Sequence, residues 1–384
     1  MDGSPDGDGT DVDPLDTIQA GVKAAAAGET VVVEPGEYFE EVYSYRSGTA
    51  EEPITITGPA DAVVRPQDGQ TDSPLFTFND SHIHLTGLTL DGLHDPTRPG
   101  EVGQYTGPLV ETKPTNTDEY LTDITFMPHA VGNSRSAVFQ PIRTNHMEIG
   151  GFRVIGPAGV QHLIGNEPGH VGEIVYLGTA PGNVLDDWYP WETLDRSHDI
   201  HVHHIVNDAG YPHAELVDVK GGVFDVTIEY CTDLGGAGSY VLPDHPEYSE
   251  AAIHLGGNET TLRWCRIENA KGHAVEVGNW GAAHPERAAD DRTRSLPDGA
   301  DDTGKRNAIY GNRFVDYGGL AIRYPTTDGE IVSGFGPDAQ EVVCGNTISG
   351  PTHGIPDRAC PADLPRSATI GHLGGDSPFE TDHS

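Results

Sequence analysis

Lysine is almost missing from this chain. Only Lys23, Lys113, Lys220, Lys271 and Lys305 occur in 384 residues, and lysine and arginine together number 22 against 60 aspartates and glutamates, a net charge of −38. A chain so poor in positive charge repels a phosphate backbone and an anionic bilayer, which argues against nucleic acid and membrane surfaces as partners. Long apolar runs are missing too. No stretch approaches the ~20 residues that a spanning helix needs, so no membrane insertion is expected. Hydrophobic residues make up 36%, little for a compact globule but enough for a solenoid with a thin core. Cysteine is limited to four. Cys344 and Cys360 are placed to close a short loop near the C-terminus. Cys231 and Cys265 fall at equivalent places in successive repeats, as stacked thiols or as a bonded pair. Two disulfides would suit an exported protein.

What is abundant is turn-forming and acidic. Gly 49 and Pro 29 are spread along the whole chain, as many short strands joined by turns require. The acidic, lysine-poor composition resembles that of proteins from extreme halophiles, where carboxylates keep the surface hydrated and salt screens their repulsion. Residues 1–14 (MDGSPDGDGTDVDP) read as a flexible tether. The chain is expected to be exported into a high-salt environment, outside the cell or on its surface, with any signal peptide removed ahead of residue 1. It is expected to act as a monomer.

Residues 15–27 (LDTIQAGVKAAAA) carry a helical stripe of Ile18, Val22 and alanines, with Asp16 as the expected cap. The chain then switches to strands at TVVVEPGEYFEEV (30–42) and PITITG (53–58). From there one strand type recurs as HIHLTGLTLDG (82–92), HMEIGGFRVIG (146–156), DIHVHHIV (199–206), DVTIEYCTD (225–233), TLRWCRIEN (261–269), NAIYGNRFVD (307–316) and EVVCGNTIS (341–349). A second type alternates with it: EIVYLG (173–178), ELVDVK (215–220), AAIHLG (251–256), HAVEVG (273–278) and LAIRYP (320–325). Period-2 alternation with β-branched residues means strands. Their recurrence every few tens of residues means stacked coils. The expected fold is all-β: a single-stranded right-handed parallel β-helix over residues 15–360, closed at its start by the helix, with 361–384 a C-terminal tail. The pairs Gly311-Asn312 and Gly345-Asn346 suit a stacked turn, and Cys231 and Cys265 align near it. Residues 93–120 and 279–306 read as long polar loops. Segment 179–198 holds Trp188, Tyr189 and Trp191, which either stack on sugar rings or pack over the solenoid edge.

Aligned by apolar residues, the second strand type places Val175/Leu177, Val217/Val219, Ile253/Leu255, Val275/Val277 and Ile322/Tyr324 inward. The residue between each pair then faces outward: Tyr176, Asp218, His254, Glu276 and Arg323. Coils stack about 4.8 Å apart, so these five form one ladder, with Asp218 and Glu276 about 9–10 Å apart at the backbone. Lys220 lies on the same face, and Glu215 begins the same strand. The flanking Ala252, Ala274, Ala321, Gly256 and Gly278 are small, and are expected to leave a groove for a polysaccharide. In an acidic chain, a column holding His, Arg and one of five lysines stands out from ordinary cross-strand charge pairing.

The stretch HAELVDVK (213–220) and the opening turns through SGTAEEPITITG (47–58) resemble polysaccharide lyases of the β-helix type, notably the alginate lyase and chondroitinase B family. That resemblance implies an acidic strand holding calcium and a lysine five residues after a glutamate acting as base, which Glu215 and Lys220 match. It also implies an assisting arginine on a later coil. Arg323 is the nearest candidate, three coils on rather than one. The family's asparagine ligand and Arg-His-Gly strand have no counterpart here. The expected site is therefore Glu215, Asp218 and Glu276 for Ca²⁺; Lys220, Arg323 and His254 for catalysis; and Tyr176, Trp188 and Trp191 for substrate. The expected activity is calcium-assisted β-elimination on an acidic, uronate-containing polysaccharide. Two other readings stay open: an inverting glycoside hydrolase using Asp218 and Glu276, and a non-catalytic carbohydrate-binding or adhesin scaffold.

Overall fold

The computed structural model describes residues 3–71, 73–116, 119–164, 172–185, 190–191, 193–238, 251–278, 299, 302–327, 330–350 and 359–364. Among these, three parallel sheets of ten, ten and nine strands run along the chain, and each coil but the last contributes one strand to each sheet. The first sheet runs from Thr30–Val32 to Val342–Cys344, the second from Gly36–Phe39 to Thr347–Ser349, and the third from Val42–Tyr43 to Ile322–Arg323. This is the parallel β-helix that the repeats predict.

The sequence shows two strand types where the structure has three sheets. The first type, read as one strand, is two strands joined by a sharp bend. The residue at that bend takes a left-handed conformation on coil after coil: Gly87, Gly151, His204, Tyr230, Trp264, Gly311 and Gly345 all have φ between 51° and 78°. A side chain there costs about 1–2 kcal/mol, yet three of the positions carry His, Tyr or Trp. Their rings stack on one another, His204 to Tyr230 at 5.1 Å and Tyr230 to Trp264 at 5.1 Å, which offsets part of that cost.

The core is made of in-register columns. On the third sheet Phe76, Val110, Phe139, Val175, Val217, Ile253, Val275 and Ile322 follow one another, and all are fully buried. Val110–Thr112 belongs to this column, so the expected polar loop 93–120 contains a strand. Its one apolar-to-polar step is too short to announce itself as a period. Most of 279–306 lies outside the described residues.

The interior polar column is the stacked turn expected from Cys231, Cys265, Asn312 and Asn346. Cys231 N donates to Cys265 Sγ (3.4 Å), Cys265 N to Asn312 Oδ1 (2.9 Å), and Asn312 N to Asn346 Oδ1 (3.0 Å). Cys231 and Cys265 are free buried thiols, and Cys344 is bonded to Cys360.

The capping helix is Ile18–Ala24, with Thr17 rather than Asp16 at its N-cap, where the hydroxyl accepts from Ala20 N. Glu40 reaches the same helix end and accepts from Ile18 N and Gln19 N, both at 2.9 Å. Ile18 and Val22 close the core. Residues 4–15 fold back on themselves, Ser4 N donating to Pro14 O and Gly9 N to Asp13 O. No helix among the described residues is long and apolar enough to cross a membrane.

Candidate active site

The ladder forms as the alternation dictates. Tyr176 pairs with Asp218, Asp218 with His254, His254 with Glu276, and Glu276 with Arg323, each one strand further along the third sheet. It is less open than expected. Asp218 is only 1% exposed, Tyr176 and Glu276 are buried, and His254 and Arg323 are partly covered. The expected row of small outward residues is also corrected. Ala252, Ala274 and Ala321 are fully buried core residues, in the row of Ile174 and Leu216. Ile174, Leu216 and Ala321 stand one residue before their strands, whereas Ala252 and Ala274 lie within Ala251–Leu255 and His273–Val277, and all pack into the same core. Gly256 and Gly278 pack beside His254. A Cβ on Gly256 would lie 3.2 Å from the His254 ring, and Gly278, at φ 97°, presents its carbonyl to that ring.

Charges along the ladder are paired. Asp218 accepts from His254 Nδ1 at 2.8 Å on one oxygen and contacts Lys220 Nζ with the other. His254 Nε2 faces Gly278 O at 2.9 Å. Both ring nitrogens therefore meet acceptors, and only the imidazolium donates from both. Burial would lower the His254 pKa, but the Asp218 charge outweighs it and raises it. Burial would likewise raise Asp218, yet Lys220 and His254 hold its carboxyl down at about 2. Arg323 reaches Glu276 at 3.3 Å.

Lys220 joins the ladder to a second column. Its ammonium lies 4.2 Å over the Tyr176 ring and 3.9 Å from Glu173. Glu173, Glu215 and Asp218 are all buried, with one carboxylate oxygen of each within 4.8 Å of the others. Burial drives the Glu173 carboxyl up to about 7, with Asp218 adding to the rise and Lys220 opposing it. Glu173 Oε1 has no hydrogen-bond partner. An all-oxygen donor set with an orphaned buried carboxylate oxygen fits a hard cation such as calcium.

Of the expected calcium ligands, the structure brings Glu215 and Asp218 together and adds Glu173 from the preceding coil. Glu276 sits two strands away from Asp218, against Arg323. The signal for Glu173 was present: it precedes Val175 by two residues, as Glu215 precedes the paired Val217. Lys220, His254 and Arg323 share the face as expected. Burial would lower the Lys220 pKa, but Asp218 and its other anionic neighbours outweigh burial and hold the amine protonated.

The aromatic expectations fare differently. Trp191 is 4% exposed, packs on Ile142, and has Arg143 and Lys113 against its ring at 5.1 and 5.9 Å. It covers the solenoid edge and presents no free face to a sugar, which corrects its expected substrate role. The Tyr176 ring is covered by Lys220, so it is not a stacking platform either. Trp188 lies outside the described residues. A second cluster, Glu148 with His201 and His203 on the first sheet, escaped the sequence reading, because its histidines occupy outward positions that any solvated strand fills with polar residues.

The fold and site thus define a parallel β-helix with an ionisable ladder beside a buried carboxylate cluster. No family model matches the chain, and no curated protein does. Among solved structures, it is similar to an alginate lyase from Paenibacillus sp. str. FPU-7, at 16% identity over 87% of this chain and 95% of that one, TM-score 0.49. It is similar also to the pectate lyase Pel9A, at 13% identity over 86% and 77%, TM-score 0.43. A PL6-family polysaccharide lyase from Pseudopedobacter saltans matches at 11% identity over 90% and 86%, TM-score 0.38.

Proposed function

We propose that this chain is a lyase that cleaves an acidic, uronate-containing polysaccharide by β-elimination, with calcium held by Glu173, Glu215 and Asp218. The observation that carries the reading is one lysine amine set between a buried three-carboxylate cluster and an outward ladder of His and Arg. When bound there, calcium would neutralise the uronate carboxylate and so acidify the adjacent C–H. The chain's own groups supply the rest. Lys220 Nζ is the proton acceptor, and neutralising the carboxylates around it removes the pull that holds its proton. The Tyr176 phenol, pushed up to about 12 by burial, keeps its proton at any working pH and donates to the leaving oxygen. His254, fixed between Asp218 and Gly278 O, and Arg323 give the ladder the positive field that an anionic chain needs.

The hydrolase reading draws less support. An inverting pair needs one protonated carboxyl and one free carboxylate. Asp218 is held at about 2 with both oxygens engaged, and Glu276 is paired with Arg323. The Cys344–Cys360 disulfide goes with export into an oxidising compartment, and the acidic composition with high salt. We take the working form to be a monomer.

The test is incubation at high salt, with calcium, against alginate, pectate, chondroitin and ulvan-type polymers, following the absorbance of unsaturated uronate. Absorbance lost in Lys220→Ala and with chelator supports the lyase. A flat trace on every polymer from folded protein counts against it. Reducing-end release without absorbance then points to a hydrolase, and neither signal to a binding scaffold.

A further inference from the structure

We infer that the first sheet carries a second metal site, selective for a zinc-like divalent cation, built from Glu148, His201 and His203. It is independent of the lyase reading and lies on a different sheet from the ladder. Thr144–Gly150 and His198–His203 are adjacent strands, with Glu148 directly opposite His201 and Gly150 opposite His203. Gly150 has no side chain, and a Cβ there would lie 1.8 Å from the His203 carbonyl oxygen. The glycine thus lets the His203 backbone pack close, and the His203 ring turns toward Glu148, with Nε2 3.3 Å from Oε1.

The spacing suits a tetrahedral ion. Bonds of about 2.1 Å require ligand atoms roughly 3.4 Å apart. The Glu148–His203 edge already has that length, and one ligand atom of each of the three residues lies within 4.8 Å of the others. His201, with a 44% exposed side chain, completes the site by swinging inward by about an ångström from its contact with Glu229. The donor chemistry sets the selectivity. Two imidazoles and one carboxylate favour zinc, copper or nickel over calcium, whereas the cluster of Glu173, Glu215 and Asp218 is all oxygen. Outer partners are in place as well. Glu229 Oε1 stands 2.9 Å from His201 Nε2, and Arg263 Nε fixes Glu229 Oε2 at 2.6 Å. His204 Nδ1 lies 3.1 Å from His203 Nδ1. Such contacts orient metal-binding imidazoles. Three protein ligands leave a position for water or an exogenous carboxylate.

The probe is zinc chloride, titrated calorimetrically into chelator-stripped full-length protein at high salt with excess calcium present. The expected result is one tight equivalent that calcium does not displace. His201→Gln and His203→Gln should each weaken it at least about tenfold, with Tm unchanged in at least one of them. Glu148→Gln, at an exposed position, should also weaken it. Cobalt(II) in place of zinc should give a visible d–d band that the variants lose. Absence of a saturable equivalent in the wild type, or the same zinc affinity in both histidine variants, overturns the site.

Discussion

Replacing Glu173 by glutamine removes one charge from the buried carboxylate cluster while keeping its shape. Glu173 is fully buried, and burial lifts its carboxyl from the ordinary 4.5 to about 7. An acid raised in this way binds its proton more tightly in the folded chain than in the unfolded one. Between pH 4.5 and about 7 the folded state therefore loses stability as pH rises. Below that window both states are protonated and the effect vanishes; above it the loss is complete. At about 1.4 kcal/mol per pH unit, the cost amounts to about 3 kcal/mol. Glu173→Gln is neutral throughout and escapes it. In chelator, the variant and the wild type should be nearly equal at about pH 4, with the variant about 3 kcal/mol more stable at about pH 8. Calcium should narrow the gap at the higher pH, because it binds the folded wild type better than the variant. Denaturant unfolding of both proteins across that range, with and without calcium, measures the difference. A gap that is flat with pH, or a variant less stable than wild type at the alkaline end, would mean that Lys220 fully satisfies the cluster and that no cation is called for.

The buried His273 should act with the opposite sign. Burial lowers its pKa to about 4, and its Nδ1 accepts from Leu320 N at 2.8 Å. The folded chain thus resists protonation, and about 3 kcal/mol of stability is lost as pH falls from 6.5 to about 4. His273→Gln should flatten that acid limb relative to wild type. Asn312→Ala should cost about 2–5 kcal/mol, since it strands the buried Cys265 N–H and the Leu262 carbonyl. A midpoint shift worth under about 1 kcal/mol would refute the stacked turn as a stabilising column. With a net charge of −38, Tm should fall as salt is lowered from about 1 M to 0.1 M, where the screening length grows from about 3 to 10 Å. An unchanged Tm would show that carboxylate repulsion is not limiting.

The ladder was legible because strand alternation has a period of exact parity, so aligning Val217, Ile253 and Val275 also aligned Asp218, His254 and Glu276. The Cys and Asn column was legible for a similar reason, each residue recurring at the same offset from its strand. The bend that divides each first-type repeat into two strands was hidden. It is written by glycine at Gly87 and Gly311 but by aromatics at Tyr230 and Trp264, and no single residue type marks it. The buried alanines break strict alternation, each packing inward beside an inward Ile253, Val275 or Ile322, which a period-2 reading assigns to the outer face. Glu173 sat at the same offset as Glu215, but the pull of a carboxylate cluster appears only when coils are stacked. Trp191 was ambiguous in sequence because an aromatic that caps an edge and one that stacks on sugar have the same composition.

Each member of the ladder comes from a different coil, so the site is a property of stacking order rather than of any one segment. Arg323 belongs to the last strand of its sheet, and Cys344–Cys360 ties down the chain just beyond it. In a solenoid whose units touch only their neighbours, unfolding can start at an end and travel inward. The disulfide then works as an end-stop for the ladder. Reducing it should loosen Arg323 first and Glu276 next, while Asp218 and Lys220 stay seated. The ladder would fail by fraying, long before the solenoid as a whole unwinds.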